Sequence, residues 1–274
     1  MKLRNACILM LCLLVPRVFG AAPDAFRDVD AALSKLNTGI ELLEDRSPDA
    51  LELIHESAAD IRRVIDTHHI HTADIYHALG NAHMLLGEQG QAVLAYKRGE
   101  RIDPTDPRLK DSLSQARAQV KIRVEPSTTR RLVDLLMSWR GIVPRSLLWG
   151  GFWAMFTVGW LLLTARVAFA APRWFTVFAI WLLGVGLVPI IALAAEWLLY
   201  MRADQVVLTQ DSTIARSGPD DSIYEPVYTE PLSAGVEATL LETRDGWAHL
   251  ELANASTCWV PSETIEPVFP VPPT

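Results

Sequence analysis

Two long stretches without a charged side chain sit in the middle of the chain: "SLLWGGFWAMFTVGWLLLTA" from Ser146 to Ala165 and "WFTVFAIWLLGVGLVPIIALAA" from Trp174 to Ala195. A helix needs about 20 apolar residues to cross the hydrocarbon of a bilayer, so each predicts one transmembrane helix, over 146–165 and 174–195. Trp149, Trp153, Trp174, Trp197 and Tyr200 lie towards their ends, where amphipathic rings sit at the lipid–water boundary. Pro189 frees a backbone carbonyl in the second helix, which is tolerated where another helix packs beside it. Neither span has an ionisable residue at its centre, which argues against a pore, proton relay or transporter and for an anchor. Only "RVAFAAPR" separates them, so the expected form is a tight hairpin with the flanking segments on one side of the membrane.

The first residues fix which side. Lys2 and Arg4 form a basic start, Ala6 to Val15 a short apolar run, and Val18-Phe19-Gly20 a small-residue end, so residues 1–20 read as a cleaved secretory signal peptide. Export of the domain behind that peptide leaves Arg166 and Arg173 in a cytoplasmic loop, as the positive-inside rule favours. Arg130, Arg131, Arg140 and Arg145 before the first span oppose that count. A translocated N-terminal domain obeys local charge less than a short loop does, so the signal peptide decides. Cys7 and Cys12 leave with it and only Cys258 remains, which excludes an intrachain disulfide and reads as a small buried hydrophobe. A net charge of −7 argues against nucleic acid as a partner.

Residues 24–125 are expected to be helical. "FRDVDAALSKLNTGIELLED" and "PDALELIHESAADIRRVIDT" place apolar residues three and four apart, with Ser47 as a cap and Pro48 in the first turn of the second helix. Residues 73–106, "ADIYHALGNAHMLLGEQGQAVLAYKRGERIDPTD", match the 34-residue helix-turn-helix repeat spacing at Tyr76, Leu79-Gly80, His83, Ala92, Tyr96 and Pro104. Gly80 and Ala92 let two helices approach while Tyr76, Leu79 and Tyr96 fill the space around them. The stretch resembles a tetratricopeptide repeat (TPR), with a capping helix over 107–121 and a degenerate preceding repeat over 25–66. The resemblance implies a concave partner groove lined by Asp74, His77, Asn81, Met84 and Leu85. Asn81 is the strongest candidate because its amide donates and accepts along a bound peptide backbone, and the alternative is that His77 and Asn81 are solvated helix residues.

Histidines crowd "DTHHIHTADIYHALGNAH". His77 and His83 are six apart and share no helical face, while His68, His69 and His71 lie before Thr72, the expected N-cap. A zinc or copper site with Asp66 stays as an alternative, but no spaced Cys or Glu completes a ligand set, so no metal or other cofactor is expected.

Residues 204–268 change character to short alternating runs, "QVVLT", "STIARSG", "GVEATLLET", "GWAHLEL" and "CWVPS", broken by Gly, Pro and Asp, as a small all-β module does. Asp245-Gly246 between two runs is a hairpin signal. Alternation puts Ala248, Leu250 and Leu252 on one face and Trp247, His249 and Glu251 on the other. The "ARSGP" turn, "DGWAHL" and "CWVP" resemble a bacterial SH3 domain, which implies a small barrel. Tyr224, Tyr228, Trp247 and Trp259 are its candidate recognition surface for a peptide or for peptidoglycan, the alternative being that Trp247 and Trp259 are core. Residues 269–274 read as a Pro-rich tail. No phosphate loop, G-x-S-x-G, H-E-x-x-H or Cys-His pair is present, so no catalytic residue is expected and an enzyme is not the reading.

The fold class expected is therefore multidomain: an all-α TPR helical domain, a two-helix transmembrane hairpin and a small all-β SH3-like barrel. This order resembles the BatE-type aerotolerance proteins over nearly the whole chain. The resemblance implies a bacterial inner-membrane protein with both soluble domains in the periplasm, in an envelope stress complex with von Willebrand A-domain membrane proteins and a MoxR-type ATPase system. The function expected is a non-enzymatic scaffold, the alternative a cell-wall sensor whose SH3-like domain binds peptidoglycan.

Overall fold

A computed structural model describes residues 23–120, 127–169, 172–198 and 204–269. The signal segment 1–20 with Cys7 and Cys12, Tyr200, and all of the Pro-rich tail except Phe269 lie outside the described residues. The chain divides into two compact units, Met1–Ile70 and His71–Thr274. That boundary falls within the segment 24–125.

The first unit is a helical hairpin of α1 (Pro23–Glu44) and α2 (Ala50–His68). Ala32 and Leu36 on α1 and Ile54, Ala58, Ile61 and Ile65 on α2 are buried at the three-and-four spacing of an amphipathic stripe. The buried Ser57 hydroxyl donates to the Ala32 carbonyl at 3.1 Å, so its polarity is satisfied inside the contact. At the rim the Lys35 ammonium reaches Asp60 at 2.6 Å. Ser47 and Pro48 do not open α2 as expected; its N-cap is Asp49, without a side-chain cap bond. The helix stops at His69, whose φ of 51° takes the left-handed conformation common after a helix C-terminus.

The second unit opens with α3 (Ala73–Leu85), α4 (Gln89–Ile102) and α5 (Pro107–Gln119). Thr72 caps α3, its hydroxyl accepting from the Ile75 amide at 3.4 Å, and Asp106 caps α5 ahead of Pro107. Gly80 has no room for a side chain: a β-carbon there would strike the Tyr96 ring of α4. Ala92, fully buried, is the matching small residue on α4. A short amphipathic helix, α6 (Thr128–Leu136), and a 3-10 turn, Ser138–Gly141, lead to α7 (Arg145–Ala168) and α8 (Trp174–Glu196).

α7 and α8 are long and apolar enough to cross a membrane. At 1.5 Å per residue each is about 35 Å long, more than a hydrocarbon core requires. Their contact uses small residues: a side chain at Gly159 would meet Leu183, Ala179 is fully buried, and Gly186 faces Met155. Such residues let helices approach where no water drives them together. Within α7 the Thr157 and Thr164 hydroxyls donate to the Trp153 and Trp160 carbonyls at 2.8 Å, leaving no unsatisfied donor facing outward from either.

The β part is a five-stranded antiparallel sheet of β1 (Gln205–Leu208), β2 (Glu237–Arg244), β3 (Trp247–Leu252), β4 (Thr257–Pro261) and β5 (Ile265–Pro267), ordered β4-β3-β2-β1-β5. The expected hairpin is present, with Arg244 opposite Trp247 and both Asp245 and Gly246 at positive φ, 51° and 82°, as a two-residue type I′ turn requires. The expected closed barrel is not: among the described residues the sheet is open, with β4 and β5 at its edges. "STIARSG" does not become a strand. Its Thr213 and Arg216 make only isolated bridges to Leu232, Pro226 and Trp259, and Pro219, Pro226 and Pro231 keep the segment from laddering.

β1 carries the organisation of the second unit. Val206 and Leu208 enter the sheet's own core with Ala248, Leu250, Leu252 and Val260. Val207, on the opposite face, joins Val93, Leu94, Tyr96, Leu109 and Leu113 of the helices. Three consecutive buried residues are what a strand covered on both faces requires. Val268, 2% exposed, follows β5 into the same helical core. The helices α3 to α5 and the sheet are thus one body built around β1, not two independent modules.

Candidate functional site

Each of the five expected groove residues sits on α3, and most are engaged by the neighbouring helices. His77 Nε2 lies 3.1 Å from the Ser112 hydroxyl of α5, and its ring leans on Tyr96 at 5.9 Å. The Tyr96 hydroxyl donates to Asn81 Oδ1 at 2.7 Å. Burial, reinforced by the nearby Arg108 charge, holds the His77 imidazole below its ordinary range, so it is neutral. Burial likewise pushes the Tyr96 phenol up to about 12, and its bond with Ser112 only partly offsets this. Asp74 is exposed but bonded to Arg108 at 2.7 Å, and that guanidinium also grips Asp106, whose carboxyl it holds low. Met84 packs partly buried against the helical core, and Leu85 is exposed. His77 and Asn81 thus tie α3 to α4 and α5, while Asp74 and Leu85 keep surface that a partner can reach.

The histidine cluster is divided by the unit boundary. His68 bonds Asp28 at 3.1 Å in the first unit; His71 bonds the Tyr76 hydroxyl at 2.8 Å in the second. His83, in its packing place, holds Glu88 at 2.6 Å. Among the described residues no three His, Cys, Asp or Glu side chains are placed to hold a metal ion. Cys258 is buried in the sheet core, which pushes its thiol up to about 11 and makes it a poor nucleophile.

On the β surface the alternation places Trp247 and His249 of β3 and Trp259 and Pro261 of β4 on one face, as cross-strand pairs Trp247 with Pro261 and His249 with Trp259. Trp259 is not core: its indole stacks on the His249 ring at 4.5 Å with the planes 3° apart. Trp247 borders an open cleft of about 240 Å³, lined also by Thr213, Arg216, Asp221 and Pro261. Arg216 organises this end. Its backbone exchanges two hydrogen bonds with Trp259 at 2.8 Å, its Nε reaches Asp221 at 3.0 Å, and its Nη1 donates to the Tyr224 carbonyl at 2.9 Å. Tyr224 lies against Gly218 on the surface. Tyr228 leaves the group: its ring packs on the sheet core and its hydroxyl bonds the Ser256 hydroxyl at 2.5 Å. Trp247 and Trp259 therefore share one face beside Arg216, which reaches Tyr224 only through its carbonyl, and the Tyr228 ring belongs to the sheet core.

Sequence reasoning missed the junction between helices and sheet. Glu237, the first residue of β2, receives Lys97 of α4 at 3.1 Å and Arg117 of α5 at 2.5 Å. Burial would raise its carboxyl, but these two charges outweigh that and hold it down at about 2. Gln91 donates to Glu266 at 2.8 Å, and Arg98 donates to the Pro267 and Val268 carbonyls at 2.8 and 3.2 Å. Arg101 lies 4.2 Å above the Phe269 ring. The one signal in the sequence was "QVVL", apolar without alternation where a half-buried strand would alternate. Compared with protein-family models, curated proteins and solved structures, the chain has no match.

Proposed function

We propose that this chain is a non-enzymatic, membrane-anchored scaffold of the BatE-type aerotolerance kind. In this reading α7 and α8 are an anchor in a bacterial inner membrane, the soluble parts lie in the periplasm, α3 to α5 are a TPR-like element and residues 204–268 an SH3-like domain. The observation that carries the proposal is the shared core around β1, next to a paired apolar hairpin. A body welded in this way holds the exposed α3 surface at Asp74 and Leu85 and the Arg216–Trp247 cleft at a fixed separation, as a scaffold needs and a flexible pair of modules does not supply. The expected partners are von Willebrand A-domain membrane proteins and the MoxR-type ATPase system.

A photoreactive residue at Leu85 in the full chain, in its native membrane, tests this. A crosslink to a von Willebrand A-domain protein, lost with Asp74→Arg, is expected; its absence while the chain is folded and inserted overturns the partner assignment. Alkaline phosphatase fused within residues 166–173 is expected to be inactive, and activity there reverses the orientation. The second reading, a cell-wall sensor, draws on the half-buried aromatic face at Trp247 and Trp259. Sedimentation of the detergent-solubilised chain with purified peptidoglycan, abolished by Trp247→Ala, would favour it over the scaffold.

A further inference from the structure

The segment between the helical body and the first long apolar helix is itself amphipathic. On α6 and the turn after it, Leu132, Leu135, Leu136 and Trp139 recur at the i, i+3, i+4, i+7 spacing of one helical face, and Leu132, Leu135 and Leu136 are 56%, 69% and 72% exposed. Asp134 falls on the opposite side of α6, while Arg131 borders the leucines beside Leu135. Val133 and Met137, on the side away from the leucines, are partly covered, so α6 leans on the molecule by that side and turns its leucine face outward. Ile142, 78% exposed, extends this apolar surface to Pro144, the N-cap of α7.

Position decides what covers this face. Eight residues, 137–144, separate α6 from the start of α7, and half of these are in the 3-10 turn, so the leucines cannot move far from the point where α7 meets the headgroups. Upstream α6 is fixed as well: the Ser127 amide donates to the Ala253 carbonyl at 2.8 Å. Arginines outnumber acids beside it, with Arg131, Arg140 and Arg145 against Asp134. Arg140 and Arg145 lie close enough to Arg101 to add to the effect of burial in holding its guanidinium below the usual range. A leucine face bordered by arginines, contiguous with a membrane-spanning helix, is the form of a helix lying in the interface of an anionic bilayer.

We infer that α6 lies in the plane of the membrane surface, with Leu132, Leu135 and Leu136 among the acyl-chain ends and Arg131, Arg140 and Arg145 at anionic phosphate headgroups. The inference rests on the membrane-anchored reading above. It makes α6 a second, peripheral attachment that stops the soluble body from swinging freely about the α7 entry point.

The test uses the full chain with Cys7→Ser and Cys12→Ser, where buried Cys258 stays inert, reconstituted in phosphatidylcholine vesicles containing phosphatidylglycerol. Spin labels are placed singly through Leu135→Cys, Asp134→Cys and Leu187→Cys, and their collisions with oxygen, which concentrates in lipid, and with a water-soluble nickel chelate are compared. The Leu135 label is expected to lose contact with the chelate and gain oxygen contact, the Asp134 label to show the reverse, and the Leu187 label to report the bilayer interior. A Leu135 label in water while Leu187 is in lipid overturns the inference and leaves the anchor standing. Shielding of Leu135 from both reagents overturns it in favour of a protein contact, and a Leu187 label in water overturns the anchor and the inference together. Omitting phosphatidylglycerol, or combining Arg131→Gln with Arg140→Gln, is expected to shift the Leu135 reading towards water; an unchanged reading overturns the anionic surface.

Discussion

Arg117 holds Glu237 by two parallel hydrogen bonds, Nε to Oε1 at 2.5 Å and Nη2 to Oε2 at 3.0 Å, so the last turn of α5 is locked to the first residue of β2. Lys97 completes the site from α4, and the carboxylate side chain is only 20% exposed. Geometry of this kind is bidentate, charge-assisted and largely shielded from water, which is where an ion pair contributes most and where losing one partner costs most.

Glu237→Gln removes the counter-charge that Lys97 and Arg117 share and leaves Glu100, 3.6 Å from Lys97, as the nearest acid. We expect a loss of about 3–5 kcal/mol, the usual consequence of breaking a buried pair from one side. It is read as faster hydrogen exchange in α4 and β1 of the full chain in detergent, with α1 and α2 unaffected. The pH dependence has a definite sign. The folded carboxyl is held at about 2 against an ordinary 4.5, so the stabilisation is complete above 4.5 and is lost as pH falls from there towards 2. That interval corresponds to roughly 3 kcal/mol. The Gln variant is expected to lose its pH sensitivity there.

Gly80→Ala sets helix propensity against packing. Alanine favours a helix by about 1 kcal/mol over glycine, yet its β-carbon would overlap the Tyr96 ring, and overpacking of this sort costs about 1–3 kcal/mol. A net destabilisation is expected by chemical denaturation. In a Tyr96→Leu background the same change is expected to become neutral or stabilising, because the atoms it strikes are gone.

The elements with strong local periodicity were legible in the sequence: both apolar helices, the α3–α4 pair with Gly80 against Tyr96, the Asp245-Gly246 turn and the two faces of β3. What was not legible depended on contacts distant in sequence. Asn81 and His77 carry a polar pattern that suits a groove as well as an internal network, and only the positions of Ser112 and Tyr96 distinguish the two. Trp259 has the composition of core, and its place on the outer face follows from register with His249. Barrel closure failed for a related reason: alternation in "STIARSG" says nothing about whether a partner strand is in reach. Glu237 looked like an ordinary strand-end acid because its partners lie 140 and 120 residues away, as the difference from Lys97 and Arg117 shows.

His77 predicts a weaker pH effect at milder acidity. Its folded imidazole titrates below the ordinary 6.5, because of burial first and the Arg108 charge second. As pH falls through 6.5 the unfolded chain takes up the proton first, so stability is full above 6.5 and declines from there down to the folded value. Denaturation midpoints for the second unit are expected to be lower at about pH 5 than at about pH 7, and His77→Gln, which has no proton to gain in that range, is expected to flatten the difference while keeping a hydrogen bond to Ser112. An undiminished slope in that variant would assign the effect to another group.

Val268 and Arg98 fix the end of the sheet to α4 by different means, which makes the pair informative. Val268→Ala removes two methyl groups from a core shared with Val93, Leu94 and Tyr96, and the cavity is expected to cost roughly 1–2 kcal/mol. Arg98→Met keeps the aliphatic stem but removes two hydrogen bonds to the Pro267 and Val268 carbonyls, a loss of about 1.5–3 kcal/mol for a charged donor. Both act on one docking event, so the double variant is expected to lose less than the sum of the singles: once β5 has come away, the second contact has nothing left to hold. Hydrogen exchange at Val206 and Val207, whose β1 strand pairs with β5, reads this directly. Strict additivity there would mean that β5 stays seated without α4, and would remove the basis for treating helices and sheet as one body.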